Sequence, residues 1–132
     1  MKPGSQIGLI GLGVMGSNLA RNIANHKFRI TVYNRTTDVT DKYINQFGNK
    51  YLIGAKTMQE FIQSLERPRK IIILVEAGKA VDAVIGQLTP LLQKGDLVID
   101  CGNSNYKDTQ RRSGELKKTG LNFIGSGISG GE

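Results

Sequence analysis

The stretch Ile7–Ala24, IGLIGLGVMGSNLARNIA, decides how this chain is read. It opens on an apolar run, passes three glycines, and continues with apolar and small residues at helical spacing. Gly11-Leu12-Gly13-Val14-Met15-Gly16 is a G-x-G-x-x-G motif between an expected strand, Gln6–Ile10, and an expected helix, Val14–His26. Each glycine has its own task in such a turn. Gly11 allows the tight reversal, Gly13 lets backbone approach a pyrophosphate, and Gly16 lets the helix pack close to the sheet. A pyrophosphate held there meets N–H groups and the positive end of the helix dipole. A glycine-rich turn with no ligand shows the same spacing; the strand before it and the helix after it favour the dinucleotide cradle.

Working outward, Phe28–Tyr33 (FRITVY) alternates and is rich in β-branched residues, which marks a second strand. Thr37–Phe47 reads as a helix and Tyr51–Ala55 as a short strand. Thr57–Leu65 reads as a helix opened by a T-x-x-E capping box, Thr57 with Glu60. Lys70–Val75 (KIIILV) is a continuous apolar run, the mark of a strand covered on both faces. Gly78–Leu92 is helical, with Pro90 bending or ending it. Leu97–Asp100 is another buried strand, Tyr106–Lys118 a charged amphipathic helix, and Leu121–Ile124 a last strand before GSGISGGE. Strands alternating with helices predict an α/β fold: a Rossmann-type, doubly wound, mostly parallel sheet with helices on both faces and right-handed crossovers.

At 132 residues the chain is expected to be a single domain, 1–132, able to bury roughly 65–70% of its unfolded surface. It stops in a glycine-rich loop, so a larger protein cut at that point is expected, with a flexible native tail as the other reading. The net charge of +7 raises nucleic acid as a partner. Its basic residues are scattered, however, and no stripe of basic and aromatic residues appears, so no nucleic-acid partner is expected. Cys101 is the single cysteine, which suits a reducing compartment. No signal peptide is visible, and no apolar run approaches the ~20 residues of a membrane span. The expectation is a cytoplasmic protein with no membrane partner. No metal site stands out: His26, the lone histidine, falls near the end of the first helix, and Cys101 reads as a small packing residue.

Ligands of an open α/β sheet gather outside the carboxyl ends of the strands. After the second strand comes Asn34-Arg35-Thr36. An NAD site usually carries a carboxylate about 20 residues beyond the glycines, on the ribose 2′-OH. Asn34 stands there instead, and Arg35 beside it suits a 2′-phosphate through charge-assisted hydrogen bonds. That predicts NADP over NAD. The later strand ends carry Glu76-Ala77-Gly78, Cys101-Gly102-Asn103-Ser104 and, after Gly125, Ser129-Gly130-Gly131. Asn103 can both donate and accept, and the backbone from Ser129 onward suits an anion nest.

With these residues in view, the chain resembles the N-terminal coenzyme domain of the 6-phosphogluconate dehydrogenase family. GLIGLGVMG, YNRT, RPRKIIILVEAG, LLQKGDLVIDCGNSNYKDTQRR and GSGISGGE carry the likeness over essentially the whole chain. The resemblance implies NADP-dependent oxidative decarboxylation of 6-phospho-D-gluconate to ribulose 5-phosphate and CO₂, in the pentose phosphate pathway, without a metal, by a protein that is a homodimer at full length. It implies that Gly11, Leu12, Gly13, Val14, Met15 and Gly16 wrap the pyrophosphate. Asn34, Arg35 and Thr36 would face the adenosine ribose and its 2′-phosphate. Val75, Glu76 and Ala77 would line the path to the nicotinamide, Asn103 would touch cofactor and substrate, and Ser129, Gly130 and Gly131 would bind the sugar acid. The general-base lysine and general-acid glutamate of the family would lie beyond Glu132, leaving no catalytic residue in this chain. Glu76 stands where many members have lysine, and Cys101 where glycine is common. Two alternatives stay open: a β-hydroxyacid dehydrogenase of the 3-hydroxyisobutyrate dehydrogenase type, and a non-catalytic NADP-binding module.

Overall fold

A computed structural model describes residues 4–76, 78–102 and 106–125. Six strands and five helices alternate along the chain: β1 Ile7–Ile10, α1 Val14–Asn25, β2 Ile30–Tyr33, α2 Thr37–Phe47, β3 Leu52–Gly54, α3 Met58–Gln63, β4 Lys70–Ile73, α4 Lys79–Leu88, β5 Leu97–Asp100, α5 Tyr106–Lys117 and β6 Asn122–Gly125. The sheet order is β3-β2-β1-β4-β5-β6, and every pairing is parallel. The mostly parallel sheet read from the sequence is thus parallel throughout its six described strands. β1 lies in the middle, with Gly8 opposite Thr31 of β2 on one side and Ile71 of β4 on the other.

The two faces of β1 explain its uninterrupted apolar sequence. Successive strand residues point to opposite faces. Leu9 joins Ile30, Val32, Leu52 and the small residues Ala20 and Ala24 of α1 in one core. Ile10 joins Ile71, Ile73 and Val98 with Phe61, Ile62 and Leu88 in the other. Helices α1 and α2 therefore cover one face, and α3 and α4 the other. Each fully buried Leu, Ile or Phe contributes roughly 1.5–3 kcal/mol relative to exposure, so neither face is dispensable.

Several boundaries are shorter than the sequence pattern suggests, each for a local reason. β2 begins at Ile30 rather than Phe28, because Lys27 at φ 66° reverses the chain after α1 and leaves Phe28 half exposed. α4 ends at Leu88 and passes into a one-turn 3₁₀ helix, Thr89–Leu91; Pro90 has no N–H to continue the α-helical ladder. The capping box forms by half. The Glu60 N–H donates to Thr57 Oγ1 at 3.0 Å, but the Glu60 carboxylate reaches the N–H of Lys56, not that of Thr57. Among the described residues no helix is long and apolar enough to cross a membrane.

Candidate functional site

Because all the strands run in one direction, their carboxyl ends share one edge of the sheet. The order reverses between β1 and β4, the place where a doubly wound sheet opens a crevice. The glycine turn lies there. Gly11 has φ +108°, and a Cβ on it would meet the Leu74 carbonyl oxygen at 2.1 Å. A Cβ on Gly16 would meet the Gly11 carbonyl oxygen at 1.9 Å, so α1 passes against the turn at backbone distance. Gly13 differs: nothing lies within 4 Å of where its Cβ would be. Two glycines are demanded by packing and the third opens on space, which is the division of labour a cradle for an external group requires.

Gly13 is also the N-cap of α1, and among the described residues no side chain caps that helix or places a carboxylate in its first turn. The first amides of a helix have no intrahelical acceptor, so this terminus is suited to an anion. Val14, 80% exposed, and Met15 stand at its rim. Leu12 also has a part in the fold. Its side chain is buried in the core, and its N–H donates to Asn34 Oδ1 at 2.9 Å.

Asn34 makes two further hydrogen bonds. Its N–H donates to Thr40 Oγ1 at 3.2 Å, and its Nδ2 donates to the Thr36 carbonyl at 3.5 Å. The end of β2 is thereby held to the glycine turn and to α2. Arg35 and Thr36 follow it as exposed residues. Arg35, Tyr33, Ile10, Met58, Val75 and Glu76 line a cavity of about 550 Å³ whose remaining wall is the face of α4 that carries Ala80, Ala83, Val84 and Gln87. An apolar floor with an arginine at its mouth is a shape that accepts a flat heterocycle next to an anion. Glu76 places a carboxylate on the same wall as Arg35. A second cavity, about 520 Å³, lies between Arg69, Lys70, Leu97 and Asn122, at the amino ends of β4 to β6. It is at the opposite edge from the glycine turn and is not where an α/β sheet gathers its ligands.

On the far side of the crevice, the turns after β4 and β5 pack together. The Cys101 N–H donates to the Ile73 carbonyl at 2.9 Å, and a Cβ on Gly102 would sit 3.0 Å from the Val75 carbonyl oxygen. Cys101 is buried, and burial, then the neighbouring Asp100, raises its thiol pKa. It is a packing residue rather than a nucleophile. His26 caps the end of α1 in solvent, its Nδ1 2.8 Å from the Asn22 carbonyl. Behind the turns, a feature missed in the sequence appears: Arg112 and Asp100 are both buried and face each other. A charged residue closing the apolar run LVID was the available signal, since a buried carboxylate needs a partner. Ala77, Asn103, Ser129, Gly130 and Gly131, named from the sequence as site residues, lie outside the described residues.

Residues 6–132 match the family model described as the NAD binding domain of 6-phosphogluconate dehydrogenase. The chain belongs to that family. A Bacillus subtilis 6-phosphogluconate dehydrogenase described as NADP(+)-dependent and decarboxylating is 52% identical over 96% of this chain. A second Bacillus subtilis enzyme, described as NAD(+)-dependent and decarboxylating, is also 52% identical, over 97% of the chain. In both cases the match spans 27% of the relative, so the chain covers about a quarter of the length of these 6-phosphogluconate dehydrogenases. Among solved structures, Plasmodium falciparum 6-phosphogluconate dehydrogenase, studied without ligand, with NADP+ and with 6-phosphogluconate, superposes with a TM-score of 0.82 at 42% identity. That superposition covers 89% of this chain and 26% of the Plasmodium one. The dinucleotide-binding architecture read from the glycine turn is therefore the family's own.

Proposed function

We propose that this chain binds NADP and supplies the coenzyme-binding part of a decarboxylating 6-phosphogluconate dehydrogenase. The observation that carries the coenzyme reading is the paired geometry of the two turns. Gly13 opens on space at the N-terminus of α1, and Asn34 holds the glycine turn while leaving Arg35 exposed beside it. Relatives of equal identity are named for NADP(+) and for NAD(+), so the choice between them rests on the chain's own residues. No carboxylate ends β2, and Arg35 supplies the charge that a 2′-phosphate needs.

In this reading Gly13, Val14, Met15 and Gly16 present the helix terminus to the pyrophosphate. Arg35 and Thr36 hold the 2′-phosphate, and Ile10 and Tyr33 floor the adenine cavity. NADP, when bound, accepts a hydride from the sugar acid. Val75, Glu76, Ala77 and Asn103 line the approach to that transfer, and Ser129, Gly130 and Gly131 take the substrate. The full-length protein works as a homodimer without metal, and neither nucleic acid nor membrane is a partner. The family match supports the reaction, and the Plasmodium relative, studied with 6-phosphogluconate, supports the substrate. Calorimetric titration of the chain with NADP and with NAD, at one fixed salt concentration, tests the coenzyme. A clear preference for NADP is expected; equal or NAD-favoured binding sinks the 2′-phosphate assignment.

A further inference from the structure

We infer that Arg112 is a positioning residue for the nicotinamide end of the site, tying the turn after β4 to the turn after β5. Arg112 lies on α5, remote in sequence from both turns, and is only 1% exposed. Its guanidinium spreads over three elements. Nε donates to Asp82 Oδ1 on α4 at 2.8 Å, and Nη2 donates to the Gly78 carbonyl at 3.1 Å. Nη1 lies 3.6 Å from Asp100 Oδ2 at the end of β5. Asp100 is fully buried, and its other oxygen accepts the Gly102 N–H at 3.0 Å. One side chain thus reaches Gly78 directly and Gly102 through Asp100.

Both ends of this link need to be held. Gly78 caps α4 at φ 90° and ψ −125°, and among the described residues nothing lies within 4 Å of where its Cβ would be. Gly102 sits against the Val75 carbonyl. Burying an ion pair is a poor way to gain stability, since well-packed apolar residues in its place are often neutral or better. It is a good way to fix direction, because the planar guanidinium fork presents its donors at set angles, as a lysine ammonium does not. The link runs to two turns on the ligand edge of the sheet, across the switch point from the end of β2. The inference rests on the coenzyme reading above and adds the means by which α5 sets the far half of the site.

The test compares Arg112→Lys and Asp100→Asn with the unaltered chain, and takes Asp82→Asn as a variant that breaks only the contact to α4. Amide hydrogen exchange without nucleotide reads the turn itself. Protection of the Gly102 amide should fall about tenfold in the first two variants, the worth of a charge-assisted hydrogen bond, while amides of β1 and α1 keep theirs. Calorimetry with NADP and with 2′-phospho-ADP-ribose, which lacks the nicotinamide, reads the site. NADP should weaken about tenfold and the truncated ligand should not; Asp82→Asn should leave both within about twofold. Unchanged Gly102 protection in Arg112→Lys, or equal weakening of both ligands, overturns the inference. An unaltered chain that binds neither ligand overturns the coenzyme reading instead, and the link between the turns then stands or falls on the Gly102 amide.

Discussion

The side-chain oxygen of Asn34 accepts the N–H of Leu12 at 2.9 Å, so the residue that ends β2 holds the glycine turn that follows β1. A carboxylate could accept the same hydrogen bond. Asn34→Asp should therefore keep the turn in place while setting a negative charge beside the 2′-phosphate position. NADP affinity is expected to fall by at least about tenfold, with NAD affinity kept or improved, because a carboxylate there suits a ribose hydroxyl. Parallel titrations with the two dinucleotides check it, and an unchanged ratio of affinities would show that the end of β2 does not select between them.

Arg35 gives the complementary prediction. It is exposed, so its removal should leave the fold alone. Arg35→Ala should weaken NADP by about ten- to a hundredfold, the range for hydrogen bonds to a charged group, and NAD by no more than about twofold. Glu76→Lys, on the same cavity wall, should strengthen NADP, and more so at low salt because exposed charges are screened. Loss of NAD binding in Arg35→Ala would mean that the arginine serves something other than the 2′-phosphate.

The glycines separate folding from binding. In Gly16→Ala the new methyl would meet the Gly11 carbonyl, which is backbone and cannot swing aside. A loss of about 1–3 kcal/mol in stability is expected, visible in urea titration. Gly13→Ala has open space, so its unfolding midpoint should barely move while dinucleotide affinity drops. The opposite ranking of the two midpoints would refute this account of the turn.

Acid should act on the α4–α5 contact through Asp82. Hydrogen bonding from Arg112 lowers its pKa most, burial opposes it, and hydrogen bonding from Arg111 adds to the lowering, so the net shift is downward. A carboxylate whose pKa is depressed on folding contributes stability above its unfolded value of about 3.9, and that contribution is lost as pH falls through the lower folded value. Asp82 is 42% exposed, so screening keeps the effect small. Asp82→Asn should reduce the slope of stability against pH between about pH 4 and the acid transition, and change nothing between pH 6 and 8. Denaturant titrations at several pH values measure it.

Cys101 should be slow to react. Burial and the adjacent Asp100 raise its thiol pKa, and the thiolate is the reactive form. A disulfide reagent at pH 7.5 should modify it quickly only after denaturation. Rapid modification of the folded chain would mean that the turn after β5 opens readily.

The alternation of apolar runs with helical spacing was enough to read the parallel architecture, because a strand such as KIIILV has no polar face to show to water. The glycine turn was legible because each glycine answers a separate steric demand. The local side-chain economy was not. The resemblance sets Leu12 and Asn34 around the ligand but does not reveal that they hold each other; a hydrogen bond between residues so far apart in sequence leaves no mark on spacing. Arg112 was hidden for a related reason. Beside the exposed Arg111 in a charged helix it looks like one more solvated cation, and only the packing of α5 beside β6, which brings Arg112 to α4 and the end of β5, buries it.

The place of β1 in the sheet also has a consequence in time. The strand that carries the glycine turn precedes both of its neighbours, and one of them, β4, is encoded only after two further strands and three helices. Parallel neighbours cannot be joined by a hairpin, and contacts between distant parts of a chain form slowly. Until Lys70–Ile73 arrives, β1 can pair only with β2 and is an edge strand, and the Leu74 carbonyl that backs Gly11 is not there to shape the turn. The glycine turn is thus encoded ahead of the strand that completes it and takes its final shape only when β4 has joined the sheet.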